Sequence, residues 1–323
     1  MQRIKPLSLP KKLPDKKAIK PNINYNGYEP ENWGIQYEFN PYLKDLSKED
    51  LIDRYKSIIN NMEILLSAKR DIIPIESSLS SWYWFRKEHQ TRLELTDRKV
   101  NPKPFLYGKK FYSKPDPPIS ITYPNSTSLL FKYGKRKHLE PMLKKGVIRI
   151  NPSSTYSNQK LEAARRDNEQ NKSSFIPNHQ VHLKTKDGQP IQGYGYMRRS
   201  ISAKSYYIFC VSCNWHPSLF DAFGEDSCLV IKQPEEFSRR LKNCCKQLKG
   251  WYFLDCPVQY FDPYERPPKM FFSTTMSKIF KYAYQQEFRF LWDGLEQKIA
   301  KKEIDIEIGS IKDIAEIYDK PAT

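Results

Sequence analysis

No apolar run in this chain approaches the ~18–20 residues that a bilayer-spanning helix requires. The opening residues, MQRIKPLSLPKKLPDKK, contain no apolar segment that would act as a signal peptide. The expectation is a cytoplasmic protein with no membrane attachment. Acidic charge is also scarce, with 37 Asp and Glu against 54 Lys and Arg. The resulting net charge of +17 exceeds what solubility asks for and favours a polyanionic partner, either nucleic acid, a nucleotide or an acidic surface. There is no P-loop, no G-x-G-x-x-G, no G-x-S-x-G and no kinase signature.

Cysteine is limited to six residues, Cys210, Cys213, Cys228, Cys244, Cys245 and Cys256. Cys210 and Cys213 have C-x-x-C spacing, but they lie in YYIFCVSCN, which reads as a strand. On a strand a separation of three puts them on opposite faces. No second pair follows at a zinc-ligand spacing, so free thiols and no metal are expected.

What is present suffices for a core. Hydrophobic residues make up 39% and aromatics 14% of 323 residues, enough for one large domain or two ordinary ones. Three parts are expected. Residues 1–46 read as a basic, proline-punctuated arm, with seven cations against one acid in residues 1–20. Residues 47–120 read as a helical, aromatic region followed by a linker with five prolines in 101–120. Residues 121–323 read as an α+β domain of short mixed strands with few helices.

In the second part, Ser47 caps a helix with Asp50 at the capping-box position, and Leu51, Tyr55, Ile58, Met62 and Leu65 recur at helical spacing. Trp82, Tyr83, Trp84 and Phe85 then cluster beside Arg86, as either a packing anchor or a base-stacking platform. In the third part, strands are expected at 128–133, 147–150, 206–214, 228–231, 251–261, 285–292 and 303–310, with helices at 135–146 and 233–250. Residues 171–204 read as an insertion with a hairpin around Asp187-Gly188.

The stretch KIFKYAYQQEFRFLW carries the most chemistry. Alternation from Gln285 onward puts Gln285, Glu287 and Arg289 on one face, about 7 Å apart, and Phe288, Phe290 and Trp292 on the other. The polar row is either one wall of a cleft or the wet face of an ordinary strand.

The order LLFKYGKRKHLEPMLKKGVIRINPSSTYSN, YYIFCVSCN, QQEFRF over residues 128–318 resembles the bacterial domain-of-unknown-function family numbered 2971. That layout is similar in turn to the ADP-ribosyltransferase fold. Such enzymes have a first strand and helix closed by an I-L-x-x-G turn, a middle strand ending in Ser or an aromatic, and a late strand with (E/Q)-x-E. Here these are FKYG with the turn from Leu143 to Gly146, FCVS, and Gln285-Gln286-Glu287. The resemblance implies NAD as the consumed substrate, transferred or hydrolysed by a toxin or anti-phage effector. It implies that Glu287 stabilises an oxocarbenium-like ribose and that Gln285 orients the acceptor. It further implies that Lys132 and Arg289 hold pyrophosphate, that Tyr133 or Tyr156 stacks on nicotinamide or ribose, and that Ser212 braces Glu287. The match departs from the family in having Lys132 and Tyr133 where the first strand normally shows His or Arg.

Two other readings stand beside it. A non-catalytic nucleic-acid-binding module would use Arg165, Arg166, Arg198, Arg199, Trp82, Trp84 and Arg86, with residues 1–120 docking a protein partner or inhibiting the domain. A metal-dependent nuclease would use Asp167 and Glu169.

Overall fold

The computed structural model describes residues 30–65, 83–103, 129–157, 169–191, 193, 195–244, 248–265, 273–295 and 299–321. The fold is α+β with mostly antiparallel sheets.

Three helices come first: α1 (Pro30–Phe39), α2 (Lys48–Leu65) and α3 (Tyr83–Asp97). Residues 30–46, expected as the end of a basic, proline-punctuated arm, are folded. Trp33 and Tyr37 of α1 are buried, and Tyr42, Leu43 and Leu46 follow them inward. Their spacing matches neither a helical stripe nor strand alternation, so periodicity does not reveal them. The start of α2 is as expected, with the Asp50 N–H donating to the Ser47 hydroxyl at 3.0 Å.

The main domain begins with β1 (Leu130–Gly134), α4 (Arg136–Lys145) and β2 (Val147–Pro152). Gly146 stops α4 at φ +68, and a Cβ there would sit 1.8 Å from the Gly309 carbonyl oxygen, so only glycine fits. A separate ribbon pairs β3 (Asn171–Pro177) with a later strand, and β4 (Leu183–Lys184) pairs with β5 (Pro190–Ile191) around Gly188 at the expected hairpin. The ribbon's second strand is β6 (Tyr196–Ser202).

Then come β7 (Tyr207–Ser212), α5 (Pro217–Phe223), β8 (Ser227–Ile231) and α6 (Pro234–Cys244). Among the described residues α6 is shorter than its expected span, since residues 248–250 form a turn. The strand expected at 251–261 divides near Pro257 into β9 (Trp251–Pro257) and β10 (Gln259–Phe261). It is followed by β11 (Ser277–Ile279), β12 (Glu287–Gly294), β13 (Ile304–Glu307) and β14 (Ala315–Asp319). β14, which short alternation did not mark, closes one edge of the sheet against β8.

One topological feature positions everything else. β12 runs along one edge of β7 from Tyr207 to Ser212. A strand has only two edges, so β2 and β1 must share the other. β2 takes one end, Asn151 against Ile208, and β1 takes the opposite end, Phe131 against Ser212. Between them the sheet forks, and α4 bridges the two arms.

The faces of β12 sort its side chains. Phe290 and Trp292 are fully buried with Phe209 and Phe237, while Leu291 packs on the other face with Tyr206 and Ile208. Each such burial stabilises the fold by about 1.5–3 kcal/mol, and Phe290→Ala would cost about 3–5 kcal/mol with its cavity. The N-terminal helices pack into a separate core cluster. Ile58 and Met62 of α2 and Trp84 of α3 pack against Phe280 and Ala283, in the 3-10 turn Phe280–Gln285 that leads into β12.

Candidate active site at the sheet fork

A cavity of about 470 Å³ opens where β1 and β2 diverge from β7. Lys132 of β1, Tyr156, Cys210 and Ser212 of β7, Gln285 and Glu287 line it. The fork leaves the middle of β7 without a neighbour on that edge, and the Lys132 ammonium donates to the exposed Cys210 carbonyl at 2.8 Å. An unmade backbone bond at such a site would cost about 1–3 kcal/mol, so the fork needs a donor of this length.

Glu287 opens β12 and sits opposite Ser212 in the register. Its Oε1 accepts from Arg289 Nε at 2.5 Å and its Oε2 from Lys278 Nζ at 2.7 Å. Arg289 continues to Glu169 at 2.8 Å, and Lys172 reaches Glu169 at 3.4 Å. Three cations thus enclose two carboxylates, all of them buried. Burial by itself pushes the Glu287 carboxyl up, but the Arg289 and Lys278 charges and hydrogen bonds more than reverse it. Its pKa ends well below the usual carboxylate range. Burial likewise opposes the Arg289 charge, and the Glu169 and Glu287 carboxylates outweigh it to hold the guanidinium protonated. Beside them, burial first and then the Glu287 charge raise the Cys210 thiol well above its ordinary value, so it remains a thiol and not a nucleophile.

The strand was expected to start at Gln285. Instead Gln285 ends the 3-10 turn, and Gln286 adopts φ +42 before the strand begins at Glu287. A non-glycine residue in that region costs roughly 1–2 kcal/mol and persists only where surroundings impose it. Here the Gln286 N–H donates to the Ala283 carbonyl at 3.0 Å and its own carbonyl accepts from Cys213 N–H at 2.7 Å. Gln285 still reaches the site, since its Oε1 accepts from Lys278 at 3.2 Å. The polar face of β12 is therefore neither a wet strand face nor a simple row. It is the buried floor of a cavity.

Ser212 braces backbone, not carboxylate: its hydroxyl donates to the Gln285 carbonyl and accepts the Asn214 N–H at 2.9 Å. Arg289, expected to hold pyrophosphate, is fully buried behind Glu287, with its remaining donor on the Thr275 carbonyl at 2.6 Å. It fixes both carboxylates and does not line the cavity. Tyr133 borders the cavity, but its ring is packed among Trp215, Phe220 and Phe223, and its hydroxyl donates to the Asn214 carbonyl at 3.0 Å. Tyr156 is half-buried at the cavity wall. Glu169 is neutralised by Arg289 and Lys172, and among the described residues no group of three or more His, Cys, Asp or Glu side chains is disposed to hold a metal. Asp167, Arg165, Arg166 and Trp82 lie outside the described residues. Trp84 is buried against Phe280, which makes it a packing anchor, and Arg86 pairs with Glu265 at 3.1 Å. Arg198 and Arg199 are exposed on β6, away from the cavity lining.

Lys278, Glu169 and Tyr260 were not anticipated as partners of Glu287. Tyr260 accepts the Glu287 N–H at 2.8 Å, and the parallel pairing of β10 with β11 sets Tyr260 beside Lys278. The one sequence signal for Lys278 is a cation next to the apolar Ile279 and Phe280. No family model matches the chain, and no curated protein or solved structure matches it either.

Proposed function

We propose that the fork cavity takes NAD and that the protein breaks the bond between nicotinamide and ribose, passing ADP-ribose to an acceptor or to water. The observation that carries this reading is the Glu287 carboxylate, which lines the cavity and is held ionised by Arg289 and Lys278. Nicotinamide leaves with the electron pair of the broken bond, and positive charge develops on the ribose. A fixed anion beside that carbon lowers the barrier. The acceptor oxygen or nitrogen then bonds to the ribose carbon and its proton goes to solvent. A carboxylate offers about four acceptor positions. Glu287 has two taken by its cationic partners, which leaves capacity for a ribose hydroxyl. Lys132, at the cavity edge, supplies positive charge on the side where the pyrophosphate would run.

The test is nicotinamide release by the purified full chain incubated with NAD, with and without DNA, RNA or lysate. Glu287→Gln, which keeps the size of the side chain, is expected to lose at least a hundredfold in rate, about 3 kcal/mol of transition-state stabilisation. Release retained in a folded Glu287→Gln protein, or no release by the native chain in any mixture, overturns the reading.

A further inference from the structure

Glu169 has no part in the chemistry proposed so far, yet it is as buried as Glu287 and lines the same cavity. Among the described residues, the other carboxylates of the lining are Glu225 and Asp305. Asp305 pairs with Arg149 at 2.9 Å, and Glu225 lies 4.0 Å from Lys135, at the start of α4. Glu169 is the one that shares partners with Glu287. Arg289 donates through Nε to Glu287 at 2.5 Å and through a terminal nitrogen to Glu169 at 2.8 Å. The Lys278 ammonium lies 2.7 Å from Glu287 and 3.7 Å from Glu169. One guanidinium and one ammonium thus set the two carboxylates side by side at the cavity floor.

The two are not held alike. Each oxygen of Glu287 has its own cation, at 2.5 and 2.7 Å. Glu169 has one cation that close, Arg289 at 2.8 Å, while Lys172 stands off at 3.4 Å and Lys278 at 3.7 Å. A carboxylate offers about four acceptor positions, so Glu169 keeps a lone pair for the hydrogen of a water. Gln285, to which the family resemblance gives the acceptor, is turned to the protein instead. Its Oε1 accepts from Lys278 at 3.2 Å, and its Nε2 donates to the Tyr284 hydroxyl at 3.4 Å. Glu169, Gln285 and Glu287 are all buried, so a macromolecular acceptor would have to carry its nucleophile past the bound dinucleotide to the floor. A water needs only a gap of its own size among polar partners.

We propose that Glu169 is a second catalytic residue, the general base that activates a water molecule, and that water is the acceptor of the ADP-ribose. This rests on the NAD reading. Nicotinamide leaves with the electron pair of its bond to ribose, and the water oxygen bonds to the same ribose carbon. One water proton passes to the Glu169 carboxylate and from there to solvent. The products are nicotinamide and ADP-ribose, and nothing is oxidised or reduced. Inverting glycosidases also use a carboxylate to take the proton of the attacking water. They need an acid for the leaving group, but nicotinamide departs as a neutral molecule and needs none. The other carboxylate, Glu287, is therefore left to stand beside the ribosyl cation.

The experiment incubates the full chain with adenylate-labelled NAD in the presence of DNA, RNA and lysate protein. Nicotinamide, free ADP-ribose and label on macromolecules are followed together. For the native chain, free ADP-ribose should equal the nicotinamide released. Glu169→Gln and Glu169→Ala should each lose about a hundredfold or more in rate. Azide, a nucleophile with no proton to give up, should restore turnover in Glu169→Ala with azido-ADP-ribose as the product, and should restore none in Glu287→Gln. Thermal melting checks that the variants fold, and if Glu169→Ala does not, the azide assay is made on Glu169→Gln. Rescue that yields ADP-ribose and no azide adduct would make Glu169 a mere counter-ion of Arg289. That result, a loss that azide does not repair, native rates in folded Glu169→Gln, or label on DNA, RNA or protein in place of free ADP-ribose would each overturn the proposal and leave the NAD reading standing. A native chain that releases no nicotinamide would end both.

Discussion

The side-chain oxygen of Asn61 on α2 accepts the backbone N–H of Tyr284 at 2.6 Å, across 223 residues of chain. The same amide donates to the Phe280 carbonyl at 3.2 Å and the Lys281 carbonyl at 3.3 Å, and Asn61 is fully buried. One side chain of the N-terminal region therefore grips both ends of the turn that delivers Gln285 to the cavity and starts β12. The helical segment is part of the site's scaffold.

Asn61→Ala should destabilise the protein by about 2–3 kcal/mol, because it leaves a buried N–H and two carbonyls without their partner. It should also reduce nicotinamide release by moving Gln285. Urea unfolding checks the first effect. A loss below about 0.5 kcal/mol would mean the turn keeps its shape unaided.

Glu287 links stability to acid. Its folded pKa is depressed, so its contribution is complete above the unfolded carboxylate value, about pH 4, and is lost as pH falls below that toward the folded value. Urea midpoints followed downward from neutral pH should show this loss for the native chain, and a shallower one for Glu287→Gln. Nicotinamide release should have no acid limb from this group above about pH 4. A limb that vanishes in Glu287→Gln would contradict the observed ion pairing.

His89 titrates in a different window. Burial first, and then the Arg92 charge, lower its pKa from 6.5 to about 4. The fold thus disfavours the protonated ring. Its contribution is full above about pH 6.5 and falls as pH drops to about 4, by on the order of 3 kcal/mol. His89→Gln should flatten stability across that interval, and the ring's NMR titration should have its midpoint near the lower value. A midpoint near 6.5 would mean the ring is solvated.

Asp262 joins two helices to the sheet domain. Its carboxylate accepts from Arg54 of α2 at 2.9 and 2.6 Å and from Lys87 of α3 at 2.5 Å, all buried. Asp262→Ala should cost about 3–5 kcal/mol by leaving the buried Arg54 without its counter-charge, while Lys87 keeps only Glu265 at 2.7 Å. Asp262→Leu combined with Arg54→Met should cost less than Asp262→Ala. Thermal melts of these variants decide it, and an additive double variant would argue against coupling.

Much of the scaffold was legible from local pattern. The Ser47 cap, the α2 stripe, the Gly146 stop, the Asp187-Gly188 hairpin and the two-faced character of β12 each depend on neighbours within a few residues. Periodicity and turn chemistry report such relations directly. It was also enough to put Glu287 and Arg289 on one face and the aromatics on the other. Residues 30–46 escaped because their burial follows contacts with α2 and α3 and not a regular period.

What the amino-acid order by itself determined was most of the elements after residue 128, the excess of basic charge and the two faces of β12. Only the tertiary structure decided that the polar face of β12 would be buried, because that depends on Glu169 and Lys278 arriving from elsewhere to neutralise it. It decided that β1 and β2 would share one edge of β7 and open the fork, since strand pairing is a long-range choice. It likewise decided which arginines found carboxylates and which did not. Charge is a property of composition, but its neutralisation depends on distances of a few ångströms that no local pattern contains.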